Sequence, residues 1–225
     1  MSEWWTYRLS SFLLFSPRTY LRLQELYNVH VWPAQLAGLA IGAVLVVVLL
    51  RRSSHAPRIA AIALCICWGF VAWAYHAVHY ATINWAAVYF AAAFAVQALL
   101  LLWIGIGSGT PTSQSVSGAS RYIGAALLLW GLAGQPVLTA LVRQGVARAD
   151  YFATGPDSTV AATLGVLLLA TWRRWLLWPI PLLWCALSGA FAAMMRLPDA
   201  PVAPLAALIA LVTAVYNARL RRRIA

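Results

Sequence analysis

Two histidines three residues apart, His76 and His79, are the residues best spaced for coordination chemistry. On an α-helix that spacing leaves the side chains about 60° apart on one face. Two neutral imidazoles so placed could bind one divalent transition metal ion, the cofactor this pattern admits, with a carboxylate completing the set. Asp157 is the best-placed carboxylate, because it opens a short apolar segment expected to start on the same side of a membrane. Tyr80 and Asn84 flank the histidine turn and would support such a site. A plainer role competes: at a membrane interface His and Tyr can simply exchange hydrogen bonds with water or headgroups.

Other reactive groups carry less. Cys65 and Cys67 are two apart, so on a helix their thiols point in opposite directions and cannot share an ion or a disulfide. Cys185 stands alone and reads as a small buried hydrophobe. Ala186-Leu187-Ser188-Gly189 has the look of an intramembrane serine nucleophile, but no histidine follows His79 to serve as its base. Gly155-Pro156-Asp157-Ser158-Thr159 reads as a turn and a capped helix start, with Asp157 or Ser158 bonding the free amides. No catalytic residue is identified.

The elements that must position these groups are membrane helices. Apolar residues form 63% of the 225-residue chain and charged residues 9%, too few charges for the surface of a water-soluble domain. All sixteen basic residues are arginine. A retinal Schiff base, a pyridoxal aldimine and a nucleotide-binding phosphate loop each need a lysine, so those functions are excluded. The +11 net charge is spread over span ends rather than one face, which argues against nucleic acid as a partner.

The fold class expected is an all-α integral membrane bundle of about seven helices, in a transmembrane domain over 33–218. The spans read as 33–50, 58–79, 83–104, 121–141, 158–172, 175–195 and 201–218. The fifth is too short for a full bilayer, and Gln135-Pro136 should loosen the fourth by removing a backbone donor. Residues 1–32 mix aromatics with arginines and read as interfacial helices, the second starting at Pro17 with Ser16 as its cap. Trp4, Trp5, Tyr7, Phe12, Phe15, Tyr20 and Tyr27 would anchor them among headgroups, or the segment would form a lid over a cavity. A basic tail occupies 219–225.

Charge separates the two ends. With seven spans, ten arginines and no acid fall on the carboxyl-terminal side, and six arginines with all five acids on the other. The positive-inside bias places the carboxyl terminus in the cytoplasm and the amino terminus outside.

The strings at 4–10 (WWTYRLS), 15–20 (FSPRTY), 80–87 (YATINWAA), 157–165 (DSTVAATLG) and 180–189 (IPLLWCALSG) together resemble an uncharacterised bacterial membrane family, domain-of-unknown-function family 6064. The resemblance covers most of the chain and implies a polytopic bacterial membrane protein; the location expected is the inner membrane. It implies no substrate, cofactor or catalytic residue. The leading functional expectation is a small transporter or permeation protein for a cation or cation-coupled solute. The alternatives are a non-catalytic subunit with membrane-protein partners or a second copy of itself, and a metal-dependent enzyme at the outer leaflet.

Overall fold

The structure is a computed structural model that describes residues 15–51, 54–107, 118–170 and 175–224, with side chains given up to residue 220. Trp4, Trp5, Tyr7 and Phe12, and the first expected interfacial helix, lie outside the described residues.

Every described element is helical. Helix α1 spans Pro17–His30, α2 Ala34–Leu50, α3 Ala56–Phe70, α4 Ala87–Gly107, α5 Gly118–Leu129, α6 Gln135–Val142, α7 Pro156–Leu169, α8 Pro179–Met194 and α9 Val202–Ile224. Helix α1 begins as its sequence dictates: the Ser16 side chain accepts from Thr19 N at 3.1 Å, and Pro17 fills the first helical position, where no amide is needed. Five helical stretches are long and apolar enough to cross a bilayer: 56–82, 87–107, 118–142, 175–194 and 202–220. A sixth is added if α1 and α2, which meet at an 81° bend, count as one broken span.

Two spans are widened from within. Helix α3 continues as a π-helix over Val71–His79, and α5 passes into α6 through a π-helical turn at Trp130–Gly134. The second lies immediately before Gln135-Pro136, where the proline ring would crowd the preceding carbonyls of a regular helix; the wider turn relieves that crowding. The Trp130 indole donates to Gln135 Oε1 at 3.1 Å across it.

The short helix α7 is the central post rather than a peripheral span. Its fourteen residues cover about 21 Å, and all but Leu169 are buried. It packs on α5 and its π turn, α9, α8, α3 and α6. An apolar pattern running all round a helix fits either lipid or protein surroundings, and here protein supplies them. Close approach is bought with small residues. A Cβ on Gly131 would fall 2.5 Å from Ala162 N and Ser158 O, and one on Gly165 2.5 Å from Leu128 N, so both must lack one. The Trp68 indole of α3 donates to Thr163 Oγ1 of α7 at 2.8 Å, a buried polar tie within the seam.

Replacing Gly165 by valine should therefore lower the stability of the detergent-purified protein by about 1–3 kcal/mol or more. Gly69→Ala, with open space around the new methyl, should leave the thermal midpoint unchanged or slightly raised. Equal effects from the two substitutions would contradict this packing.

Candidate functional site

A buried helix start must find partners for its free amides inside the protein. Helix α7 finds one in Asp150, seven residues ahead of Asp157. Ser158 N donates to Asp150 Oδ1 at 2.7 Å, the Ser158 hydroxyl donates to the Asp150 carbonyl, and Asp150 N donates to Thr139 Oγ1 at 2.9 Å. Gly155 leaves room for this, since a Cβ there would sit 2.6 Å from the Asp150 carboxyl. The expected cap by Asp157 or Ser158 side chains is thus replaced by one reaching back from the preceding loop. Burial pushes the Asp150 carboxyl up to about 7, and the Asp157 charge pushes the same way, against the Ser158 hydrogen bonds and Arg143.

Asp157 is thereby released from capping and turns toward α8. Its Oδ1 accepts from Trp184 Nε1 at 2.8 Å, and the Ser188 side chain supplies a second hydrogen-bonding group. The carboxyl lines a crevice of about 20 Å³, room for about one water. Tyr20 from α1, Tyr75 and Tyr80 from the end of α3, Arg143 from the end of α6, and Phe191 from α8 form much of the rest of the wall.

Arg143 is already balanced. Its Nε and Nη2 both donate to Asp199 Oδ2, at 3.1 and 2.6 Å, with both side chains almost wholly buried. The guanidinium lies 5.7 Å from the centre of the Tyr20 ring. Its Nη1 is buried without a hydrogen-bond partner. The other described ion pairs, Arg22–Glu25 and Arg148–Glu25, leave Asp157 outside any pair among the described residues.

The structure separates the expected metal ligands. His76 is fully buried among rings, with centroids 4.5 Å from Phe94 and 5.0 Å from both Trp184 and Tyr75, and neither ring nitrogen has a hydrogen-bond partner. His79 turns to α1, 4.9 Å from the Tyr27 ring and 5.2 Å from the His30 ring. The physical reason is the π-helix, whose wider turn spreads residues three apart beyond their α-helical spacing. Trp184 stands between His76 and the Asp157 carboxyl, touching both. Among the described residues, no three His, Cys, Asp or Glu side chains gather closely enough to hold a metal ion. Tyr80 does reach the Asp157 crevice, and Asn84 sits behind it, bonding the Tyr80 side chain while its Oδ1 accepts from Ala86 N at 3.0 Å.

Of the expected headgroup anchors among the described residues, Tyr27 faces inward and Phe15 and Tyr20 do so in part. Tyr27 is fully buried and its hydroxyl donates to the Thr154 carbonyl at 2.8 Å. Phe15 and Tyr20 are half-buried and pack on Tyr80. The cause lies on the same helix face: the Asn28 amide donates to the Ala147 and Ala149 carbonyls and Gln24 to that of Ala149, which seats α1 on the 146–149 turn. Arg143, Trp184, Ser188 and Asp199 were not legible as site residues, because only the folded contacts between α6, α8 and the 195–201 loop bring them together.

The sequence model of a family of unknown function (DUF6064) matches residues 18–225, and the chain belongs to that family. No curated protein and no solved structure matches it.

Two outcomes are expected. His76→Phe should keep stability within about 1 kcal/mol while His76→Ala should lose about 3–5 kcal/mol, as for other buried rings, in thermal unfolding. Because folding raises the Asp150 carboxyl from 3.8 to about 7, its contribution is complete below about 4. It is lost progressively as the pH rises toward about 7. Asp150→Asn should flatten that decline; an unchanged pH profile would contradict the assignment.

Proposed function

We propose that this family member is a membrane permeation or transport protein for a small cation, or for a solute moved with one, and that Asp157 is the group that takes the cation. The observation that carries the reading is a carboxyl only 9% exposed, lining a crevice and outside any described ion pair. An ionised carboxylate in apolar surroundings is costly unless a proton or a cation joins it.

Two arrangements favour a positive visitor. The amide end of α7, which would repel a cation, is occupied by Asp150, and the Arg143 charge is offset by Asp199. Much of the remaining wall is aromatic, from Tyr20, Tyr75, Tyr80, Trp184 and Phe191, and aromatic faces attract cations electrostatically. The described acids also gather at one end of the bundle, joined by the Glu25–Arg148 and Arg143–Asp199 pairs. Arg51, Arg58, Arg121 and Arg219 lie at the ends of helices leading away from them. By the positive-inside bias the arginine-rich end faces the cytoplasm of a bacterial inner membrane, and the crevice opens outward.

Purified protein in liposomes, loaded with dyes for protons, sodium and potassium, tests this. The expected result is cation flux above that of empty liposomes. It should fall about tenfold in Asp157→Asn, the equivalent of about 1.4 kcal/mol, and persist in Glu25→Gln, with both variants eluting as folded protein in gel filtration. Flux no greater than in empty liposomes, or full flux in a folded Asp157→Asn protein, would overturn the reading.

A further inference from the structure

We infer that His30 and His79, rather than His76 and Asp157, form a two-imidazole site for a divalent transition metal ion of the zinc or nickel class, tying α1 to the π-helical end of α3. The two rings come from elements 49 positions apart and meet with centroids 5.2 Å apart at an interplanar angle of 60°. A metal bound at about 2.0–2.1 Å from a ring nitrogen lies about 3.2 Å from the ring centre. Two such rings at a tetrahedral angle have centres about 5.2 Å apart, which is the spacing present here.

The second observation concerns the tautomer. His79 Nδ1 meets the Ala74 carbonyl at 2.7 Å. A carbonyl oxygen can only accept, so Nδ1 carries a proton, which in the neutral ring leaves the lone pair on Nε2. Imidazole ligands of metals are commonly oriented in this way, with the distal nitrogen donating to a carbonyl and the other left to coordinate. His30 lies exposed in the last turn of α1, and no described hydrogen bond engages its ring.

The favourable place of a cationic histidine at a helix C-terminus accounts for His30 alone. The His79 ring is held beside it by the Ala74 carbonyl and the Tyr27 ring, which fixes the two imidazoles next to each other. With no third His, Cys, Asp or Glu in reach among the described residues, oxygen ligands such as water would complete the shell. The site is half-exposed and of modest affinity. Its consequence is mechanical: α1 carries Tyr20 to the crevice and α3 carries Tyr75, so a bound ion holds that wall together. This site stands on its own geometry, whatever the cation handled at Asp157.

The test is a zinc chloride titration of tag-free, detergent-purified full chain, followed by calorimetry and by thermal unfolding. One equivalent of zinc should bind and raise the unfolding midpoint. Affinity should fall about tenfold or more in His30→Ala and in His79→Gln, persist in His76→Phe, and recover in His30→Cys, whose thiolate is also a zinc ligand. Since His30 is exposed, His30→Ala is expected to fold as the parent does, with an unchanged midpoint in the absence of zinc. No zinc binding by the parent chain, or unchanged affinity in His30→Ala, would overturn the site.

Discussion

Helix α7 is enclosed by protein on every side, and the hydrogen bond from its Ser158 amide to the Asp150 carboxyl closes the end that would otherwise be left unsatisfied. Much of the surrounding geometry follows from that contact. It draws the 143–155 loop over the top of the bundle, where Asp150 N is held by Thr139 and Ala153 N by Thr159 Oγ1 at 3.0 Å. Ala153 adopts φ 68° there, a left-handed conformation uncommon for a residue with a side chain, and its amide is held by the Thr159 hydroxyl. The loop in turn offers the carbonyls of Ala147, Ala149 and Thr154 to α1, so the seat of α1 depends on the same cap.

The electrostatics divide along the same line. Three carboxyls and one guanidinium lie in a largely apolar environment, where unbalanced charge is expensive. Asp150 is spent on the Ser158 amide and Asp199 on Arg143. Asp157 has only neutral donors, the Trp184 indole and Ser188. The pair formed by Arg143 need not add stability, since buried ion pairs often gain little over apolar packing; here Asp199 offsets part of the guanidinium charge that lines the crevice.

Part of this was legible in the residues. Ser16-Pro17 marks the start of α1, Pro136 marks the disturbed fourth span, and the span opening near Asp157 is short, as its composition implies. What the sequence hid has physical causes. An all-round apolar helix carries no mark distinguishing lipid from protein neighbours, so the centrality of α7 was invisible. The π-helix at Val71–His79 parts His76 from His79, although their spacing on an α-helix would unite them. The aromatics of α1 suit headgroups and a protein interior equally, and only the loop carbonyls decide for Tyr27. Asp150 as the cap, and Arg143 with Asp199, depend on chain segments meeting across the bundle, which local patterns do not encode.

The proposal that Asp157 takes a positive partner can be tested spectroscopically. Infrared difference spectra of the purified chain, recorded as protons, sodium, potassium or ammonium are titrated, should show a carboxyl band that moves with one of them and is missing from Asp157→Asn. A parent spectrum without any such carboxyl change, or the same change in both proteins, would contradict the account.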